Sequence, residues 1–411
     1  MVELGMQDRR QLESNPIEDI VAYGYPPRFV FVEIHTKHGK AIGDATLEGQ
    51  PNAVLGAIED AKRFLIGQDA NAVTIATDYL TTQFYSNGPV TRSAVGGIDT
   101  ALWDLWARRL GVPLYQVFGG AHHRKGLPYY CWEGGHTPKP GFDEDSAATL
   151  VKRLVDQRGV RSVKLNVSSF LPPIDVWRRI PEVGQVAADV RKAVGDDVNL
   201  CFDFHGRGKP ATARALLEAL RPHRPFFIEE PMEEEHDDDL PSLREQAKEI
   251  YVATGERMYT LGAVRKLIKA RGVDLIQTDL VHCGGPSMLR KINALAESAG
   301  IGVAPHCPLS VIAFMACYHT MVTSSAGCLL ECADGIHYNT EVDDGYSGNP
   351  WTRPILNPEV FQLDNEGLMP LPTGPGLGLT FNEEQLEAGK KIGAAWQRPT
   401  GRLETGAVCR W

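Results

Sequence analysis

The chain has 411 residues, of which 43% are hydrophobic and 23% are charged, an ordinary globular composition that allows one large domain and a smaller one. Its formal net charge of −10 argues against nucleic acid as a partner, because phosphate binding requires clusters of Lys and Arg. No run of about 18 apolar residues predicts a membrane span and no apolar signal region is visible, so we expect a cytoplasmic protein that does not engage membranes.

The first part of the chain has the pattern of a small α+β domain. Residues 28–48 contain two alternating runs separated by a turn, which predict two strands. Periodic apolar residues then predict helices over 52–68 and 91–110. Strands followed by helices are typical of an α+β fold, so we assign residues 1–125 to an N-terminal capping domain.

From residue 127 onward, short β-rich runs alternate with helical segments. The eight β-rich runs are 127–132, 162–167, 198–204, 225–231, 249–256, 274–279, 301–306 and 327–332. The helical segments between them are 145–158, 182–194, 211–221, 262–271, 286–298 and 309–321. This rhythm predicts an α/β fold with a (β/α)8-type barrel over residues 126–372, while residues 373–411 are expected to return to the cap. An open doubly wound sheet is the alternative, but no GxGxxG follows the first strand.

Acidic residues end three consecutive predicted strands. These residues are Asp203, Glu229 followed by Glu230, and Glu256. In a barrel the carboxyl ends of the strands share one rim, so the carboxylates should gather there and require a cation. Oxygen ligands favour Mg²⁺, with Mn²⁺ as the second choice. Only one of Glu229 and Glu230 can face the site, because neighbouring strand residues point in opposite directions. Solvated loop acids or helix caps are the alternative interpretation.

Two histidines lie where they could exchange protons with a ligand at this rim. His205 is two residues after Asp203, so their side chains are expected on one face of the strand. His306 ends the seventh predicted strand and Asp279 ends the sixth, and an Asp beside a His raises its basicity. One imidazole could therefore accept a proton and the other donate one. For most other histidines, including His282, a hydrogen-bonded structural role is the better interpretation.

Three further residues are weaker candidates on spacing alone. Lys164 and Asn166 lie on one face of the second predicted strand and could bind a substrate carboxylate or support a metal ligand. Glu331 ends the eighth predicted strand and could hydrogen-bond a developing enediolate or orient a substrate hydroxyl. A structural salt bridge is the alternative for both Lys164 and Glu331.

Several motifs together resemble a known family. They include "VKLN" (163–166), "DFHGR" (203–207), "FIEEP" (227–231), "ATGERMYT" (253–260), "QTDLVHCGG" (277–285), "APHCPLS" (304–310) and "GIHYN" (335–339). In this order they resemble the mandelate-racemase-like branch of the enolase superfamily, and most closely its D-galactonate dehydratases. The resemblance implies Mg²⁺-dependent dehydration of a sugar acid, such as D-galactonate or a related aldonate, to a 2-keto-3-deoxy acid through an enediolate.

The resemblance also implies a role for each matching residue. Asp203, Glu229 and Glu256 would hold the metal. His306 would take the C2 proton with its basicity raised by Asp279, His205 would protonate the departing 3-hydroxyl, and Glu331 would stabilise the enediolate. The acid distinguishes dehydration from racemisation, because hydroxide is a poor leaving group.

Other functions stay open at this point. The same enediolate would serve a racemase, an epimerase or a cycloisomerase, and a barrel can also act as a non-catalytic binding protein. Residues 1–15 and the loop 23–28 depart from the family pattern, and Glu133 is expected by the rim, so the identity of the sugar acid is open. We expect a small-molecule sugar-acid substrate and a homo-oligomeric assembly.

Overall fold

The computed structural model contains a small antiparallel sheet and a large parallel one. It describes residues 13–83, 85, 87–133, 137–167, 176–336, 339, 349–394, 396, 401–402, 406 and 408–409. Among these residues no helix combines the length and the apolar character that spanning a membrane requires.

The N-terminal domain is a three-stranded meander covered by helices. Its elements are β1 (Ile17–Tyr25), β2 (Phe29–Thr36), β3 (Gly39–Asp44), α1 (Pro51–Leu65), α2 (Val73–Thr81) and α3 (Pro89–Leu110). The sequence predicts β2, β3, α1 and α3 but misses β1 and α2. β1 contains Glu18, Asp19 and Gly24, which are residue types that strands disfavour, yet it buries Ile17 and Ile20 against the helices. Tertiary packing therefore outweighs local propensity in β1.

The eight predicted barrel strands are all present and parallel. They are β4 (Tyr129–Trp132), β5 (Ser162–Asn166), β6 (Asn199–Asp203), β7 (Phe227–Glu229), β8 (Tyr251–Thr254), β9 (Leu275–Ile276), β10 (Gly302–Val303) and β11 (Leu330–Cys332). Each strand pairs with the next along the chain from β4 to β10, and β11 pairs with β4. A parallel bridge between Val303 and Gly327 joins β10 to the segment before β11 and closes the ring. The predicted (β/α)8-type barrel with an α+β cap is confirmed.

Helices connect these strands around the outside of the barrel. They are α5 (Ala147–Arg158), α6 (Val176–Val194), α7 (Pro210–Leu220), α8 (Leu240–Ala247), α9 (Leu261–Ala270), α10 (Leu280–Cys283), α11 (Pro286–Ala299) and α12 (Val311–Met321), with the short α4 (Leu114–Val117) before β4. The sequence predicts six of these helices and misses α4, α8 and α10, which have only four, eight and four residues. The 3₁₀ segments are Arg221–His223, Glu234–Asp239 and Pro358–Phe361.

The C-terminal segment lies against the cap. Its helix α13 (Glu383–Ile392) packs on β1 so closely that a side chain at Gly389 would overlap the Tyr25 ring. The Lys40 ammonium and the Glu383 carboxylate are 2.6 Å apart. A short pair, β12 (Gly401–Arg402) and β13 (Val408–Cys409), follows. The domain limits at residues 125 and 372 stay predictions.

A layer of apolar side chains fills the barrel below the site. Its members are Tyr130, Cys201, Phe227, Ala253, Leu275, Ala304 and Leu329. Polar side chains lie above this layer. Lys164 is on β5, and Asp203 and Glu229 end β6 and β7 as register partners. The apolar layer therefore forms the floor of a polar chamber at the carboxyl ends of the strands, where active sites of this fold are built.

Candidate active site

The three predicted metal ligands come from neighbouring strands. Asp203 and Glu229 are fully buried and directly opposite each other at the ends of β6 and β7. Glu256 follows β8 and is only 9% exposed. Burial raises the pKa of Glu229 to about 8, and the negative charge of Asp203 contributes to this rise. Crowded carboxylates thus compete for ionisation in a region closed to water.

Lys164 lies in the centre of this acidic group. Its ammonium nitrogen is 3.1 Å from Glu229 Oε1, 3.2 Å from Asp203 Oδ2 and 2.7 Å from Glu331 Oε1. It also lies 4.2 Å from the centre of the Trp132 ring, a cation–π contact. Burial alone would lower the pKa of Lys164, but the carboxylates of Glu229 and Glu331 outweigh it and hold that pKa well above its usual range. Lys164 is therefore a buried counter-ion that forms salt bridges with these carboxylates. Its role in substrate binding or in supporting a metal ligand stays a prediction.

The chamber fits a hard divalent cation. One lysine faces three carboxylates, which leaves excess negative charge in a buried place. Asp203 Oδ2 and Glu256 Oε2 are buried and accept no hydrogen bond from the described part of the chain. Asp203 Oδ2 lies 3.1 Å from His205 Nε2 and 3.2 Å from the Lys164 ammonium, and Glu256 Oε2 lies 3.7 Å from His306 Nε2. Carboxylate oxygens with spare acceptor capacity are the donor set that Mg²⁺ and Mn²⁺ prefer.

Glu230 also points into the protein interior, contrary to simple alternation. Its φ of 41° turns the backbone at the end of β7, so Glu229 and Glu230 do not face opposite sides of a continuing strand. Arg257 binds Glu230 Oε2 at 2.8 Å, Glu256 Oε1 at 3.1 Å and Glu234 Oε1 at 3.2 Å. Sequence reasoning misses Arg257. Its only signal is that it directly follows Glu256.

His205 meets Asp203 by a turn rather than by strand alternation. β6 ends at Asp203, and His205 has a φ of 48° in the left-handed region. The backbone N–H of His205 donates to Asp203 Oδ1 at 2.8 Å, an Asx-type turn that brings the His205 ring back to the Asp203 carboxylate. A residue held at positive φ without being glycine is a form of strain that clusters at functional sites.

His306 forms a pair with Asp279. Its Nδ1 is 2.9 Å from Asp279 Oδ2, and its Nε2 is the nitrogen that faces Glu256. Burial would lower the pKa of His306, but Glu256 and the hydrogen bond to Asp279 raise it well above its usual range. Asp279 Oδ1 also caps α10 by accepting the N–H groups of Val281 and His282. The carboxylate thereby fixes both the helix start and the orientation of the imidazole.

Glu331 and Asn166 complete the predicted set. Glu331 Oε2 accepts the backbone N–H of Cys307 at 2.7 Å, and its Oε1 accepts the indole N–H of Trp132 as well as binding Lys164. Asn166 is the register partner of Asp203. The structure therefore brings every predicted site residue to one rim of the barrel.

Family models match both parts of the chain. Residues 8–119 match the mandelate racemase / muconate lactonizing enzyme N-terminal domain, and residues 146–385 match the enolase C-terminal domain-like family. The chain belongs to the enolase superfamily. The predicted family is confirmed.

Curated members of the superfamily match over the whole chain. The D-galactonate dehydratases of Pectobacterium atrosepticum and Verminephrobacter eiseniae are each 35% identical over 397 residues, covering 96% of this chain and 100% of their own length. A crystal structure of an enolase from Agrobacterium radiobacter, bound to sodium and L-malate, has a TM-score of 0.82 and 27% identity over 96% of this chain and 99% of its own. The predicted hydro-lyase class is confirmed by the curated relatives.

This superfamily member also contains a site residue that sequence reasoning sets aside. His282 lies beside the His306–Asp279 pair, with its ring centre 6.2 Å from that of His306. In the described part of the chain, Asp279, His282 and His306 form a group whose potential ligand atoms all lie within 4.8 Å of one another. Both ring nitrogens of His282 already have partners in the cap, Ser93 and Glu48, so hydrogen bonding accounts for this group without a metal.

Proposed function

We propose that the protein is a Mg²⁺-dependent dehydratase that converts D-galactonate or a related aldonate into a 2-keto-3-deoxy acid and water. The observation that carries the proposal is the pair of imidazoles bordering the carboxylate group, His306 beside Glu256 and His205 beside Asp203. A dehydration needs both a base for the C2 proton and an acid for the 3-hydroxyl, and this site offers both. The whole-length relatives named D-galactonate dehydratase support the choice of substrate class.

Three carboxylates are proposed to hold the cation. Asp203, Glu229 and Glu256 provide buried oxygens, two of which accept no hydrogen bond from described residues. When bound, the cation would neutralise the charge of the substrate carboxylate and of the enediolate that develops from it. Mn²⁺ is the alternative to Mg²⁺, because it accepts the same oxygen ligands.

His306 is proposed to remove the C2 proton. In the neutral ring that a base requires, the Nδ1–H would donate to Asp279 and the lone pair of Nε2 would be directed towards the chamber. Proton removal gives an enediolate, and Glu331 is held near it by the Cys307 N–H and Lys164. Glu331 would stabilise this intermediate by a hydrogen bond if it carries a proton at that stage.

His205 is proposed to complete the reaction as the general acid. It would transfer a proton to the 3-hydroxyl as the C3–O bond breaks, so that water leaves and an enol forms. The enol then tautomerises to the 2-keto-3-deoxy acid. A positioned acid contributes about 10²- to 10⁴-fold to such a step.

A substrate screen tests the proposal. The protein is incubated with Mg²⁺ and a library of aldonates and aldarates, and 2-keto-3-deoxy products are detected with semicarbazide. We expect product from D-galactonate or a near relative. Exchange of the C2 hydrogen with D₂O without any keto product would instead show a racemase, epimerase or cycloisomerase.

Two variants separate the roles of the histidines. His306→Asn should abolish both C2 exchange and product while Mg²⁺ still binds. His205→Asn should abolish product and keep exchange. If His205→Asn dehydrates at the wild-type rate, the acid is misassigned.

Two further expectations accompany the proposal. The seven cysteines whose side chains the structure describes are all free thiols, which supports the expected cytoplasmic location. Assembly as a homo-oligomer also stays a prediction, and sedimentation of the purified protein would test it.

A further inference from the structure

We propose that the cap residue Glu48 acts through His282 to position the His306–Asp279 pair, so that the cap completes the proton-accepting part of the site. This inference rests on the proposed function and deepens it. Neither Glu48 nor His282 is offered as a catalytic residue. Both are positioning residues that act on the base through other groups.

The cap holds the His282 ring on both edges. His282 is 6% exposed, its Nδ1 lies 2.9 Å from Ser93 Oγ, and its Nε2 lies 3.2 Å from Glu48 Oε2. Ser93 belongs to α3 and Glu48 follows β3, so both partners come from the N-terminal domain. A carboxylate only accepts, so Nε2 must carry the proton that it donates to Glu48.

Glu48 is itself held in place by Arg28. Arg28 Nη1 lies 3.0 Å from Glu48 Oε1, which leaves Oε2 for His282. Arg28 is buried, its Nε donates to Asn339 Oδ1 at 2.8 Å, and its Nη2 donates to the carbonyl of Pro308. Pro308 is two residues after His306. The cap therefore contacts the barrel at two places near the base: Glu48 contacts His282, and Arg28 contacts Pro308.

His282 is in turn linked to Asp279. The His282 N–H donates to Asp279 Oδ1 at 3.0 Å, and the ring Nε2 lies 3.9 Å from Asp279 Oδ2. α10 is a single turn of four residues. The position of the His282 ring therefore also fixes the backbone N–H groups that donate to the Asp279 carboxylate. The cap also packs closely against this turn, because a Cβ at Gly96 of α3 would overlap the carbonyl oxygen of Val281.

The consequence is a continuous chain of contacts from the cap to the base. It runs from Arg28 to Glu48, His282, Asp279 and finally His306 Nδ1. If Glu48 is lost, the His282 ring loses one of its two anchors and Asp279 is less firmly oriented. His306 would then spend less time with Nδ1 protonated and Nε2 free to accept a proton.

The test compares Glu48→Ala with Glu48→Gln in the full-length protein. Hydrogen-bond partners that orient a metal-ligating histidine typically affect metal affinity or activity about 10- to 100-fold, and we expect the same range for a histidine that acts as a base. We expect Glu48→Ala to lower kcat and the rate of C2–deuterium exchange about 10- to 100-fold, with KM and Mn²⁺ affinity unchanged. Glu48→Gln keeps an acceptor for Nε2 and should recover most of the rate. Ser93→Ala, which removes the other anchor, should lower kcat in the same direction.

A control variant separates positioning from general damage to the cap. Glu33 is another buried cap glutamate next to a histidine, with its Oε2 3.0 Å from His35 Nε2, but it lies on the three-stranded sheet. Glu33→Gln should therefore leave kcat and exchange at the wild-type values. A rise in KM with unchanged kcat in Glu48→Ala would overturn the proposal and identify Glu48 as a substrate contact.

A second measurement does not depend on turnover. In protein labelled with ¹⁵N-histidine, NMR reports which ring nitrogen of each histidine is protonated. In Mg²⁺-loaded protein, at a pH where the His306 ring is neutral, we expect that ring to be protonated on Nδ1 in the wild type and in Glu33→Gln, and to show a mixed population in Glu48→Ala. An unchanged His306 signal in Glu48→Ala would overturn the positioning role. This result is readable even if no substrate is found, so the two proposals fail separately.

Discussion

Removal of the buried ammonium of Lys164 is the sharpest perturbation that the structure offers. In Lys164→Met a side chain of similar length replaces the cation, while Asp203, Glu229 and Glu331 stay in place. The three lost contacts measure 3.2, 3.1 and 2.7 Å, and all four side chains are fully buried. The variant would therefore leave three buried carboxylates without their shared counter-ion.

The magnitude follows from these distances. At an effective dielectric constant of about 20, each contact corresponds to about 5–6 kcal/mol of Coulomb attraction, most of which offsets the cost of burying the charges. Breaking a buried pair on one side typically costs about 3–5 kcal/mol, because the remaining charge stays desolvated. We expect a loss of that size in the free energy of unfolding in the presence of a chelator above about pH 8, where Glu229 is ionised.

Urea unfolding followed by circular dichroism measures this loss. The matched control is Lys125→Met, because Lys125 binds Glu366 at a similar distance of 2.8 Å but is exposed. Exposed pairs contribute little, so the control should unfold like the wild type. Added Mg²⁺ should stabilise Lys164→Met more than the wild type, because the cation would take over the role of the ammonium. A loss no greater than that of Lys125→Met would refute the reasoning.

Two further predictions concern residues around the site and in the core. Burial lowers the pKa of His319 to about 4, below its ordinary value of 6.5, so its stabilising contribution is complete above about pH 6.5 and is lost as pH falls through 4. We expect a loss on the order of 3 kcal/mol across that window in the wild type and a flatter profile in His319→Gln; identical profiles would rule this out. Arg257→Lys cannot keep the three ion pairs of the guanidinium, so Mn²⁺ affinity measured by calorimetry should fall about 10- to 100-fold, whereas wild-type affinity would mean that Arg257 does not position Glu256.

The gathering of acids could be predicted from the sequence because the barrel itself does the positioning. Asp203 and Glu229 end adjacent parallel strands, and register then makes them direct neighbours. The spacing of βα units is visible in the sequence, so their common location follows without any knowledge of side-chain contacts.

The contacts of Lys164 could not be predicted in the same way. Its spacing from Asn166 indicates which face of β5 it lies on, but not whether it meets substrate or carboxylate. Its contacts depend on how far the side chains of Asp203, Glu229 and Glu331, on three other strands, extend into the barrel. Sequence spacing on one strand contains no information about it.

The backbone turns at the strand ends could not be predicted from the sequence either. Alternation along a strand predicts that Asp203 and His205 share a strand face. In the structure β6 ends at Asp203, and the left-handed backbone of His205 brings the His205 ring back to the Asp203 carboxylate. At Glu230 the same kind of turn breaks the alternation assumed for β7. A period of two holds only while the ladder continues.

The network around His282 has no local pattern. Glu48 and His282 belong to different domains, and their contact arises only when α3 packs against α10. Sequence reasoning could therefore identify a hydrogen-bonded histidine but could not name its partners.

Anomalous diffraction from crystals soaked in Mn²⁺ tests the central claim most directly. The account predicts one strong manganese peak enclosed by the carboxylates of Asp203, Glu229 and Glu256, with Asp203→Asn weakening it. A peak bound instead by Asp279, His282 and His306 would contradict the account, because those side chains are assigned to holding and orienting the base.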